Sequence, residues 1–124
     1  MPSIFQRPAQ ESILIVDDNP TNLRLLSRLL IQKGYVVRKA LDGLMALDAV
    51  KSCPPDLILL DLMMPHLDGY EVCIRLKANP HTADIPIVVL SALNASFDKV
   101  KAFRYGATDY ITKPFQIEEV LARV

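Results

Sequence analysis

The sequence predicts a single α/β domain built on a five-stranded, doubly wound parallel sheet with helices on both faces. Three observations predict it. Short β-rich apolar runs alternate with helix-period segments along the whole chain. Those runs are apolar at consecutive positions, as strands buried on both faces are, whereas half-exposed strands alternate apolar with polar. A chain of 124 residues, 51% of them hydrophobic, is also long enough to bury one core without disulfide or metal staples. Strict alternation of strand and helix implies crossovers that return over the sheet, which is the doubly wound arrangement.

The elements follow in order. Ile-Leu-Ile-Val at 13–16 is the first strand. Asn19 and Pro20 then supply the N-cap and first position of a helix whose apolar stripe is Leu23, Leu26, Leu29 and Leu30, and Gly34 closes it. Tyr-Val-Val at 35–37 is the second strand. Asp42 caps a second helix carrying Leu44, Leu47 and Val50, which Pro54 and Pro55 end. Leu-Ile-Leu-Leu at 57–60 is the third strand. Asp68 with Glu71 three residues later forms a capping box for a third helix, ended near Asn79 and Pro80. Ile-Val-Val-Leu at 87–90 is the fourth strand; Phe97, Val100 and Phe103 or Arg104 mark a fourth helix, with Gly106 as its terminating residue. A weaker run at 110–112 is the fifth strand. The last helix begins near Gln116, with Glu118 and Glu119 in the first turn, where the helix dipole favours them.

Residues 1–11, with two prolines and no periodicity, read as a tail or linker, and 12–124 as the domain. Ile117, Val120, Leu121 and Val124 hold the apolar period to the final residue, the pattern expected of a domain excised from a longer chain.

Charge narrows the function. Fourteen basic residues balance fourteen acidic ones and the pI is near 6.7, which argues against a dedicated nucleic-acid or anionic-membrane binder. No run approaches the roughly 18 apolar residues of a membrane span, and the first residues lack the apolar core of a secretory signal. Cys53 and Cys73 stand apart, with no CxxC and no histidine cluster, so free thiols in a reducing cytosol are expected. The localisation expected is cytoplasmic.

In open α/β sheets ligands bind at the carboxyl ends of the strands. The first strand ends in Asp17 and Asp18, the third in Asp61, the fourth in Ser91, and the fifth runs into Lys113. The second ends in Lys39 and Ala40 and adds nothing evident. Asp17 and Asp18 read either as capping aspartates or as ion ligands, but Asn19 and Pro20 already fill the capping positions. Crowded carboxylates repel by a few kcal/mol per close pair at an effective dielectric of about 20. A divalent cation removes that cost, and an all-oxygen donor set points to Mg²⁺. Asp61 reads as a turn aspartate or as a carboxylate nucleophile toward phosphorus. Lys113 is a solvated lysine or a partner for phosphoryl oxygens, and Ser91 is a turn residue or a hydroxyl donor to a phosphate. His66 and His81 read as solvated loop and turn residues, and Met45, Met63 and Met64 as packing.

These residues, in order and spacing, resemble the receiver domain of two-component response regulators. The matching blocks are Ile-Leu-Ile-Val-Asp17-Asp18-Asn, Leu-Ile-Leu-Leu-Asp61-Leu-Met-Met-Pro65-His-Leu-Asp68-Gly69, Val-Val-Leu-Ser91-Ala92, and Gly106-Ala-Thr-Asp-Tyr110-Ile-Thr-Lys113-Pro114-Phe115. Ser91 and Lys113 follow Asp61 by 30 and 52 residues, as in the family. The resemblance implies the flavodoxin-like strand order 2-1-3-4-5 that the chemotaxis regulators share. It implies that Asp61 is the phosphoacceptor and that Asp17, Asp18, Asp61 and the backbone carbonyl of Met63 hold Mg²⁺. Ser91 and the Ala92 N–H would bind the phosphoryl oxygens, Lys113 would pair with them, and the peptide before Pro114 would be cis. Ser91 and Tyr110 would form the switch, remodelling the face of the fourth helix, fifth strand and fifth helix.

The implied partners are a sensor histidine kinase or histidine phosphotransfer protein, an output domain or effector on that face, and a second copy in a phosphorylation-dependent homodimer. Membrane contact and direct nucleic-acid binding by this domain are not expected. Nor is enzyme activity beyond assisting its own phosphorylation and dephosphorylation. In the family the side chains two residues after the acceptor and two after the switch hydroxyl border the line of water attack. Here the resemblance makes them Met63 and Leu93, both apolar and unable to orient a water, so slow self-dephosphorylation is expected.

Several other readings differ in class. A flavin-binding electron carrier shares the fold, but Asp17 and Asp18 would repel a phosphate in its first loop. A phosphatase of the aspartate-nucleophile type needs a second aspartate where Met63 stands. A degenerate receiver serving only as a binding module lacks a reason for the acidic site and Lys113. Within the receiver reading, membership of a multidomain regulator or hybrid kinase is expected, and a stand-alone adaptor or phosphorelay intermediate is the alternative.

Overall fold

The structure is a computed structural model that describes residues 11–61, 69–91, 101 and 103–112. Five strands, β1 (Ser12–Val16), β2 (Val36–Ala40), β3 (Leu57–Asp61), β4 (Ile87–Ser91) and β5 (Asp109–Thr112), form one sheet in the order β2-β1-β3-β4-β5. Every pairing is parallel, with Val16 opposite Leu60, Asp61 opposite Leu90, and Ser91 opposite Thr112. Helices α1 (Pro20–Gln32), α2 (Gly43–Ser52) and α3 (Gly69–Ala78) connect the first strands. The expected strand order is the one observed.

Successive strand residues feed two separate cores, which is why the runs are apolar throughout. Leu14, Val16, Ile58, Leu60, Ile87 and Val89 pack with Val50 of α2 and with Val72, Cys73 and Leu76 of α3. Their neighbours Ile13, Ile15, Leu59, Val88, Leu90 and Ile111 pack on the other face with Leu23, Leu26 and Leu30 of α1. Each fully buried Leu, Ile or Val adds about 1.5–3 kcal/mol relative to exposure.

The expected caps form. The Asn19 side chain accepts from the amides of Thr21 and Asn22, and Asp42 Oδ1 accepts from Met45 N at 2.8 Å. Gly34 closes α1 at φ +98°, in the left-handed region that glycine adopts without strain. Asp68, most of the fourth helix and the whole fifth helix lie outside the described residues; Phe103 and Arg104 are helical and Gly106 follows at φ +107°.

Three expectations need correction. The second strand is Val36–Ala40: it ends at Ala40 as expected but begins after Tyr35, and only Ala40 of it is buried. It is the sheet edge, so its outer hydrogen-bonding side and one flank face solvent, and Arg38 and Lys39 suit that place. In α2 the buried residues are Gly43, Ala46 and Val50, while Leu44 is 55% exposed. Small residues let this helix lie close on the sheet, and that rotation turns Leu44 outward. Met45, read as packing, is exposed for the same reason.

Lys77 acts as a clamp that the sequence did not suggest. Its Nζ donates to the carbonyls of Ala83 at 2.8 Å and Ile85 at 3.1 Å, fastening the connection to β4. Its stem runs so close to Gly106 that a Cβ there would stand 2.5 Å from Lys77 Cγ. Gly106→Ala is therefore expected to cost about 1–3 kcal/mol, through both the positive φ and this collision. Urea denaturation measures it, and truncating Lys77 to Ala in the same chain should recover the steric part but not the backbone part. Next to this clamp Tyr70 and Tyr105 meet edge to face at 5.8 Å between centroids, with Lys101 Nζ 4.5 Å from the Tyr70 ring centre.

Candidate phosphoryl and metal site

The parallel register decides what meets at the carboxyl rim. Val16 lies opposite Leu60, so Asp17 and Asp61 each follow directly on a paired residue of adjacent central strands. One carboxylate oxygen from each of Asp17, Asp18 and Asp61 lies within 4.8 Å of the others. Asp17 is 1% exposed and Asp61 4% exposed, whereas Asp18 is open to solvent. The buried pair could not escape into water, so their repulsion, about 3–4 kcal/mol per pair at an effective dielectric of 20, is built into the fold. The result is an acidic cup with one open side.

Asp17 is held from two directions. Its Oδ1 accepts from Asn19 N at 2.9 Å, and its Oδ2 accepts from Asn22 Nδ2 at 3.4 Å. Its own amide donates to the Ala40 carbonyl of β2 at 3.1 Å, which keeps the chain in sheet geometry up to the carboxylate. Asn22 is the residue that sequence reasoning passed over. Its signal was present in Asn19-x-x-Asn22, which puts both side chains at the start of α1: Asn19 serves as the cap, and Asn22 is free to turn toward the strand end.

The donor set fits a hard divalent cation: oxygen atoms only, close together, with one open side for retained water. Among the described residues this is the cluster of three acidic side chains that can hold a metal.

Ser91 ends β4 one residue past the Asp61–Leu90 pairing, so its backbone reaches the same rim. Tyr110 lies in β5 opposite Val89. Met63, Ala92 and Lys113 lie outside the described residues, as do Leu93 and Pro114.

The model of the response regulator receiver domain matches residues 13–124. The chain belongs to that family. It is a receiver domain, a phosphorylation-activated signalling switch of two-component systems and not a classical enzyme. The receiver domain is 49% identical over 112 residues to the DNA-binding dual master transcriptional regulator RpaA of Synechocystis, covering 90% of this chain and 46% of that protein. It is 44% identical over 112 residues to the response regulator PleD of Caulobacter vibrioides, covering 90% of this chain and 25% of that protein. It superimposes on the Vibrio cholerae chemotaxis protein CheY4 with a TM-score of 0.88 at 30% identity, covering 93% of this chain and 96% of that one. The chain thus spans less than half the length of these two curated regulators. Among the described residues no helix is long and apolar enough to cross a membrane, and neither Cys53 nor Cys73 is in a disulfide.

Proposed function

We propose that Asp61 is the phosphoacceptor of this receiver domain, with the rest of the rim arranged around it. The observation that carries the reading is the buried Asp61 carboxylate packed against Asp17 and Asp18 at the open end of the sheet. The phosphoryl group would come from a phosphohistidine of a sensor kinase or histidine phosphotransfer protein. The P–N bond breaks, an O–P bond forms at an Asp61 oxygen, and the imidazole leaves and takes up a proton.

Asp17, Asp18 and Asp61, with the carbonyl of Met63, would hold Mg²⁺. When bound, the ion neutralises charge on the phosphoryl oxygens. Asn22 and the Asn19 amide keep Asp17 aimed at that position. Ser91, the Ala92 N–H and Lys113 receive the phosphoryl oxygens on the other side. Ser91 and Tyr110 carry the change to the face of the fourth helix, β5 and fifth helix, where an output domain, an effector or a second copy binds. Residues 12–124 serve as the cytoplasmic receiver of a multidomain regulator or hybrid kinase, with 1–11 as a tail or linker, and leave any nucleic-acid contact to other domains.

The test is labelling with acetyl phosphate. One acyl phosphate per chain is expected with Mg²⁺ present and none after chelation with EDTA. Labelling at an unchanged rate without a divalent ion would contradict the role given to the three aspartates.

Lifetime is the property most particular to this chain. Because Met63 and Leu93 offer no group to hold a water behind the phosphorus, the aspartyl phosphate should decay slowly. Met63→Asn combined with Leu93→Glu should shorten its half-life. Decay of labelled domain after donor removal measures this, and equal decay of wild type and double variant would show that these positions do not set it.

A further inference from the structure

At the opposite pole from the aspartates, a cavity of about 480 Å³ opens between the C-terminal halves of α2 and α3 and the connection to β4. That volume falls in the range of small-molecule sites. Its walls include the apolar side chains of Leu47, Val50 and Leu76, and its polar lining includes Lys51, Arg75 and His81. Among the described residues no carboxylate lines it. Among the described residues Lys51 and Arg75 make no ion pair. The base of the cavity is fixed: Thr82 is buried and donates from Oγ1 to the Leu76 carbonyl at 2.6 Å.

Lys51 and Arg75 stand in the last turns of α2 and α3, where they offset the partial negative charge of the carbonyl ends. That accounts for one cation per helix. It does not account for their lining the same apolar hollow together with an imidazole and, among the described residues, no acid. The domain as a whole is electrically neutral, so this cationic rim is a local feature and not a reflection of net charge.

We propose that this cavity is a binding site for a small amphipathic anion, an aromatic or branched aliphatic body carrying a carboxylate, sulfonate or phosphate group. The body would lie on Leu47, Val50 and Leu76, and the anionic group would reach Lys51 and Arg75, with His81 as a further donor. Charge complementarity selects that occupant: a neutral apolar ligand would leave the cations unused, and a cationic one would be repelled. The site stands apart from the phosphoacceptor chemistry and does not depend on it.

The experiment is fluorescence titration of the folded domain with 1-anilinonaphthalene-8-sulfonate, with its uncharged relative N-phenyl-1-naphthylamine as comparison. Saturable one-to-one binding of the sulfonate is expected, with amide shifts confined to 47–54 and 75–82. Lys51→Gln with Arg75→Gln, both exposed, should leave the melting temperature unchanged, weaken the sulfonate by about tenfold, and bring the two dyes to similar affinity. Asp61→Asn should bind the dye as wild type does. Absence of saturable binding, equal affinity in the charge variant, a neutral dye that binds wild type as tightly, or loss in Asp61→Asn would each overturn the proposal.

Discussion

Asp61→Asn is expected to reduce phosphoryl labelling of the domain to background, the largest effect of any single substitution here. The amide keeps the size of the side chain and one oxygen, so the strand end remains packed. It loses the negative charge and the nucleophilic carboxylate electron pair on which attack at phosphorus depends. Because Asp61 is only 4% exposed and shares its cup with Asp17 and Asp18, removing its charge also relieves repulsion. The variant should therefore melt no lower than wild type, and this separates loss of chemistry from loss of fold. Phosphorylation measured by mass after acetyl phosphate treatment decides the point. Undiminished labelling of the folded Asp61→Asn chain would place the acceptor elsewhere.

Replacing Asp17 and Asp18 together by Asn is expected to lower Mg²⁺ affinity by more than about 100-fold, since one carboxylate and neutral oxygens would remain. The same change should raise thermal stability. Repulsion among the three carboxylates costs several kcal/mol, partly screened at exposed Asp18. An asparagine in place of Asp17 retains an oxygen to accept from the Asn19 amide. A net gain of about 1–3 kcal/mol is the expected balance. Calorimetric titration reads the first effect and thermal melting without metal the second. Unchanged Mg²⁺ binding would remove Asp17 and Asp18 from the site, and a marked loss of stability would mean that their hydrogen bonds outweigh their repulsion.

Much of the fold was legible because its elements satisfy local rules. Asn19-Pro20, Asp42 and Gly34 mark helix ends by the hydrogen bonds and dihedral angles their residue types allow. The runs at 13–16, 57–60 and 87–90, short, β-rich and set between helix-period segments, have the pattern of strands covered on both faces. Leu44 and Met45 were misread because a helical period says which residues share a face and not which face turns inward. The small residues Gly43 and Ala46 decided that by letting α2 approach the sheet. The edge position of β2 was equally hidden at the level of residues, since Tyr-Val-Val at 35–37 looks as apolar as a central strand.

The site divides in the same way. Composition and order placed the aspartates at strand ends, because a carboxylate directly after a buried apolar run belongs at the rim where that run stops, as Asp61 does at the last residue of β3. That much the sequence determined by itself, along with the strand and helix sequence and the blocks shared with receiver domains. That Asp17 and Asp61 share a rim was implied by the strand ends and the resemblance, but only the tertiary structure decided which paired residues bring them together. They are 44 residues apart, and it is the parallel pairing of β1 with β3, fixing Val16 against Leu60, that sets their carboxylates together. Tertiary contact likewise gave Asn22 its hold on Asp17, Lys77 its grip on the connection to β4, and Lys51 and Arg75 a shared apolar hollow. The physical reason is that pattern and propensity act within a few residues, whereas the energies of paired, buried or opposed charges depend on distances set by the packed sheet and helices.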